Sequence, residues 1–162
     1  MTDILTIKNG RKVVNNGMNE EKVLLDEINL TIREGDFITV LGGNGAGKST
    51  LFNTIAGTLQ LSQGSISFKD QLITKDSEEK RARFLSRVFQ DPKMGTAPRM
   101  TVAENLLLAQ KRGQKRKFRL RNLKNQKEDF FRLCQEVGNG LEQHLDTPAG
   151  ELSGGQRQAL SL

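Results

Sequence analysis

The sequence has no tryptophan, no tyrosine, one cysteine, one histidine and only three prolines in 162 residues. Each scarcity closes a class. A single cysteine, Cys134, cannot form an internal disulfide, which suits a reducing compartment. Its neighbours Phe130, Phe131, Leu133 and Val137 mark it as a buried structural thiol rather than a reactive one. No apolar run approaches the roughly 20 residues that span a bilayer, and the longest candidates are as short as Leu106-Leu107-Leu108-Ala109. The start, Met1-Thr2-Asp3-Ile4, shows no basic region followed by an apolar one, so no secretory signal is read there. No Asn-Lys-x-Asp base-reading motif occurs, which argues against a GTPase. Internal repeats and extended low-complexity segments are also missing. What is present, 35% hydrophobic and 27% charged residues, is the composition of a soluble globular domain long enough for one core.

The net charge of +6 is compatible with nucleic acid, a membrane surface or an anionic ligand as partner. It is concentrated: Lys111 to Lys127 holds nine Lys or Arg residues and no acid, and elsewhere the signs nearly balance. That stretch reads first as a solvated helical surface, then as a contact for anionic lipid headgroups. Nucleic acid comes last, because Phe118 is the only stacking ring among these basic residues.

The most specific stretch is Gly42-Gly43-Asn44-Gly45-Ala46-Gly47-Lys48-Ser49-Thr50, which fits the phosphate-loop pattern G-x-x-x-x-G-K-[ST] without a mismatch. Phe37 to Leu41 before it is apolar and partly β-branched, as a buried strand should be. Leu51, Phe52, Ile55 and Leu59 after it recur at helical spacing. Glycines let the backbone approach a phosphate closely, and the N–H groups of the loop and helix start supply donors and positive potential. Lys48 is expected to reach the β- and γ-phosphates of ATP, and the Ser49 hydroxyl to ligate Mg²⁺.

Around this loop, Ile4–Ile7 reads as a strand, Asn15-Asn16-Gly17 as a turn, and Val23–Ile32 as a second strand with Ile28, Leu30 and Ile32 on one face. Ser65–Phe68 follows as a short strand after a Gln63-Gly64 turn. Asp76–Arg83 reads as a solvated helix or loop, and Phe84–Phe89 as a further strand stopped by Gln90-Asp91-Pro92. Thr101 with Glu104 three residues on is a capping box opening a helix. A second helix runs over Leu123–Val137, broken by Gly138 to Gly140.

Leu152-Ser153-Gly154-Gly155-Gln156 is a second glycine-rich helix start. It reads either as an anion contact, with the Ser153 hydroxyl and two unhindered glycine N–H groups, or simply as an N-cap. Taken with the loop at 42–50, Gln90 after its strand and the helical part between, it resembles the signature of the nucleotide-binding domain of ABC transporters, over nearly the whole chain. The resemblance implies an α/β P-loop NTPase fold: a RecA-like core with an antiparallel β part and a helical subdomain. Residues 1–92 would carry the core, phosphate loop and Gln loop, 93–150 the helical subdomain, and 151–162 the signature and the start of its helix.

It further implies ATP and Mg²⁺ as ligands and head-to-tail pairing with a second such domain. Ser153, Gly154, Gly155 and Gln156 would contact ATP held by the partner's phosphate loop, and Gln90 would sit by Mg²⁺ and the attacking water. The residues from Gln90 to Met100 would form part of the groove receiving transmembrane permease subunits, with the protein peripheral on the cytoplasmic face of the membrane. The run Gln90 to Pro98 resembles that of bacterial importers fed by substrate-binding proteins, with aromatic amino acids as the suggested solute. The alternatives are a soluble ABC-type ATPase outside transport, or a nucleotide-binding fragment without turnover.

The chain departs from that family twice. Where the family stacks an aromatic ring on adenine, this chain offers the aliphatic Val13 and Val14, so loose base selectivity is expected. The family's Walker B Asp and Glu and its switch histidine follow the signature and are not in this sequence; His144 precedes the signature and reads as a surface residue. The C-terminal part of the core is therefore expected to be missing, and the chain alone to hydrolyse ATP poorly or not at all.

Overall fold

The computed structural model describes residues 2–15, 21–114 and 126–162. They form two compact units, one ending at Leu85 and the other beginning at Ser86.

The first unit is built on two long strands, β1 (Asp3–Asn15) and β2 (Glu21–Arg33). They pair antiparallel with Ile7 opposite Leu30 and Val14 opposite Lys22. The strands β3 (Gln63–Phe68) and β4 (Gln71–Leu72) extend the sheet in the order β2-β1-β3-β4, with Ile7 also opposite Ile66. The side-chain period of two decides which face is covered. Ile28, Leu30 and Ile32 are half-buried while their alternate neighbours are exposed, as the pattern predicts. Leu5, Ile7, Ile66 and Ile73 form the buried centre, and Leu51 and Ile55 of helix α1 (Lys48–Ala56) pack against it. Each fully buried Ile contributes about 1.5–3 kcal/mol of apolar burial.

Two expected strands do not form. Phe37–Leu41 lies outside any strand, with Phe37 95% and Leu41 86% exposed, and Phe84–Phe89 is likewise irregular. A strand is completed by a hydrogen-bonded neighbour, and none of the described residues pairs with either run. Phe84 instead stacks on Phe68 at 4.0 Å between ring centroids. The charged run 76–83 departs from expectation in the opposite sense. It contains a short helix α2 (Glu78–Arg81), and Arg81 is fully buried. Its guanidinium donates to five carbonyls: Asp76 (3.1 Å), Thr54 (2.7 Å), Ile55 (2.8 Å), Ile73 (2.7 Å) and Thr74 (3.0 Å). Burial pushes its pKa down, and the charge of Asp76 opposes that. Thr54 and Ile55 belong to the last turn of α1, so Arg81 satisfies helix-end carbonyls and places a cation where the helix dipole is negative.

In the second unit, α3 (Val102–Gln110) opens on the expected box: Thr101 Oγ1 accepts from Glu104 N (3.2 Å) and Glu104 Oε2 accepts from Thr101 N (3.0 Å). Helix α4 (Lys127–Val137) ends at the expected break, where Gly138, Asn139 and Gly140 all have positive φ. Val102, Ala103, Leu107, Phe130, Cys134, Leu141, Leu145, Ala149, Leu152 and Ala159 are the core, the last on α5 (Gly154–Leu160). Cys134 is buried as expected, and burial raises its pKa. Most of the turn at 15–17, the basic residues 115–125 and the expected start of the second helix at Leu123 lie outside the described residues. No described helix is long and apolar enough to cross a membrane.

Candidate functional site

The loop 42–47 leads into α1 in the first unit. Gly47 is the N-cap and takes φ +84°, and a Cβ there would stand 2.6 Å from the Leu24 carbonyl oxygen of β2. Only glycine permits both the left-handed backbone and that approach. The start of α1 therefore rests directly on β2. The Ala46 N–H donates to the Gly43 carbonyl at 3.3 Å, curling the loop. Lys48 closes it, with Nζ donating to the carbonyls of Gly42 (2.5 Å) and Gly43 (2.7 Å). Gly42 to Ala46 and Ser49 are exposed, and Lys48 and Thr50 are half-buried.

The helix start has no side-chain cap and no acid in its first turn. Its free N–H groups and the Lys48 ammonium thus leave a concentration of positive charge that the protein does not itself neutralise. That arrangement suits an anion with several oxygens. The exposed Ser49 hydroxyl beside it is a neutral oxygen donor of the kind a hard cation such as Mg²⁺ accepts. Among the described residues no cluster of three His, Cys, Asp or Glu could hold a metal by itself.

The second glycine-rich start is arranged differently. Ser153 Oγ accepts from Gln156 N (3.3 Å), and Gln156 Oε1 accepts from Ser153 N (3.1 Å). Gln156 Nε2 also donates to the Asn139 carbonyl at 3.4 Å. A Cβ at Gly154 or Gly155 would meet nothing within 4 Å. The chain's own packing does not require glycine at either position.

The ABC transporter family pattern matches residues 25–162, the stretch that contains both glycine-rich starts. The chain belongs to the ABC transporter family. It is 40% identical over 159 residues to the tyrosine transport ATP-binding protein of Clostridioides difficile, covering 98% of this chain and 63% of that protein. Among solved structures it is similar to the ADP conformation of an ATP-binding cassette of an ABC transporter, at 29% identity and TM-score 0.73, covering 99% of this chain and 63% of that one. It is also similar to CbiO1 of Clostridium perfringens, part of an ABC transporter complex, at 26% identity and TM-score 0.73, covering 99% of this chain and 60% of that one. The fold is that of an ABC cassette, and the chain spans about 60% of the length of these relatives.

Within this ABC chain the expected site residues fall in both units. Gly42 to Thr50 lie in the first, and Gln90 and Ser153 to Gln156 in the second. Gln90 is exposed and is followed by a turn in which Asp91 Oδ1 accepts from Lys93 N at 2.9 Å, so its backbone leads into a capped segment. His144 is half-buried rather than a surface residue, with Nδ1 3.3 Å from Thr147 Oγ1. Sequence reasoning missed Arg81, Asn105 and Arg157, whose multiple hydrogen bonds to backbone carbonyls hold the segments around the two starts. None had a local signal: Arg81 stands in a run of like residues, and the other two are polar positions in amphipathic helices.

Proposed function

We propose that the chain carries the ATP-binding half-sites of the energy-coupling subunit of an ABC importer. The observation that supports this most is the helix start at Gly47, uncapped by any side chain and closed by Lys48 over the Gly42 and Gly43 carbonyls. ATP would place its β- and γ-phosphates on the N–H groups of residues 43–50. Lys48 would exchange its carbonyl contacts for phosphate oxygens, and Ser49 would ligate Mg²⁺. Mg²⁺ supplies neutralisation of charge on the phosphate oxygens. Gln90 would contact the metal and the attacking water, as the family resemblance implies. Ser153, Gly154 and Gly155 would meet the γ-phosphate of ATP held by a second copy. The unrequired glycines at 154 and 155 support a surface that another molecule approaches closely.

On this reading, residues up to about 92 form the nucleotide core part and 93–150 the helical subdomain that meets membrane permease subunits, at the cytoplasmic face. The tyrosine-transport relative supports an aromatic amino acid as the solute, delivered by a substrate-binding protein. The first turn of α1 has no carboxylate to act as a base for water, which supports binding with little turnover by these residues alone. Calorimetric titration of the chain with Mg-ATP tests the reading. Binding that is at least tenfold weaker in Lys48→Ala is expected, and equal affinity in the two would overturn it.

A further inference from the structure

The turn that follows Gln90 and the cap of α5 lie more than 50 residues apart in sequence, yet one chain of hydrogen bonds joins them inside the second unit. Asn105, on α3, holds the turn. Its Oδ1 accepts from Ala97 N (2.7 Å), and its Nδ2 lies within bonding distance of the carbonyls of Ala97 (3.1 Å), Met100 (3.1 Å) and Thr101 (2.9 Å). A side-chain amide has two N–H donors, so three carbonyls use it fully.

The turn in turn holds a strap. Gly150 N donates to Pro98 O (2.8 Å), Ala149 N to Met100 O (2.9 Å), Val102 N to Thr147 O (3.0 Å) and Ala103 N to Leu145 O (2.9 Å). At Gly150 a Cβ would stand 2.9 Å from Pro98 O, so the two segments touch backbone to backbone. Arg157, on α5, closes the chain: its Nε (2.8 Å) and Nη2 (2.6 Å) both donate to the carbonyl of the fully buried Ala149. The Ala149 residue is thus gripped at its N–H by the turn and at its carbonyl by α5. Ser153, which starts α5, lies four residues further along the same strap.

We infer that Asn105 and Arg157 are positioning residues for the Ser153–Gln156 start. Asn105 sets the 97–101 turn, the turn sets the 147–150 strap, and Arg157 fixes α5 to that strap. The placement of the Gly154 and Gly155 N–H groups therefore follows from the conformation of the segment after Gln90. Neither residue touches nucleotide; both act through Ala149. The inference rests on the proposed contact of this start with ATP on a second copy.

The test uses the full chain with mant-ATP and Mg²⁺. Fluorescence at low protein concentration reads nucleotide affinity at the chain's own phosphate loop, and sedimentation velocity reads ATP-driven self-association. The parent is expected to self-associate with ATP. Asn105→Ala is expected to weaken that association at least tenfold while mant-ATP affinity stays within twofold, and Arg157→Lys, which keeps the charge and loses the paired donors, is expected to shift association in the same direction by less. Parent-like association in both variants overturns the inference and leaves the function standing. A proportional loss of affinity and association means a general loss of fold and also overturns it, with Arg157→Lys deciding if Asn105→Ala does not fold. A parent that never associates with ATP overturns the trans contact itself, and this inference with it.

Discussion

The two glycine-rich helix starts look alike in sequence and differ in how their donors are used. At Gly47 the chain offers no side-chain cap, and Lys48 adds a cation held only by neutral carbonyls. At Ser153 the chain satisfies two of its donors, the Ser153 and Gln156 N–H groups, through a reciprocal Ser153–Gln156 box. The glycines differ too. Gly47 is dictated by the close Leu24 carbonyl, whereas Gly154 and Gly155 border open space. The first start leaves its donors without a side-chain partner, the arrangement on which the proposed phosphate contact rests. The second is capped by its own side chains, and its glycines border open space, which is where the proposed contact with a second copy would fall. A motif's residues alone do not distinguish these cases; the partners of its donors do.

The largest effect tests the anchoring of the far end of α1, the helix that the first start opens. Arg81→Met leaves five carbonyls without their donor, those of Thr54 and Ile73 buried and the other three partly buried. At about 1–3 kcal/mol for each one that water cannot reach, a loss above ~3 kcal/mol is expected in urea unfolding of the chain. A loss below about 1 kcal/mol would show that solvent replaces the guanidinium. Next is Lys48→Ala, which removes a charge-assisted contact. Nucleotide binding should weaken by about 1.5–3 kcal/mol in calorimetry, with the unfolding midpoint of the nucleotide-free chain nearly unchanged. Ser153→Ala should cost about 1 kcal/mol of stability, the worth of an N-cap, while leaving nucleotide affinity at low concentration intact. Gly155→Ala sharpens the comparison most. With no atom near its Cβ and better helix propensity, it should leave stability unchanged or raise it by up to ~1 kcal/mol, and still abolish ATP-driven association. Smallest is the base: with Val13 and Val14 in place of a stacking ring, GTP should compete within tenfold of ATP, and a larger gap would point to base contacts elsewhere.

What could be read from the sequence was local. The Thr101–Glu104 box, the glycine break at 138–140, the alternation of Ile28, Leu30 and Ile32 and both glycine-rich starts depend on residues within a few positions of each other. What could not be read depends on distant partners. Phe37–Leu41 has the composition of a buried strand, but composition does not supply the neighbouring strand that would pair with it. Arg81 sits among Glu79, Lys80 and Arg83, and nothing in that run says that one cation turns inward to five carbonyls contributed by two segments, 54–55 and 73–76. The Asn105–Ala149–Arg157 connection is equally silent, because two of its links run through backbone groups that every residue possesses.

Amide hydrogen exchange with and without Mg-ATP, at a concentration where the chain is monomeric and again where it associates, addresses the asymmetry between the two starts most directly. ATP should slow exchange over residues 43–50 at both concentrations, and over residues 153–156 only at the higher one. Protection of 153–156 in the monomer, or none over 43–50, would contradict the account.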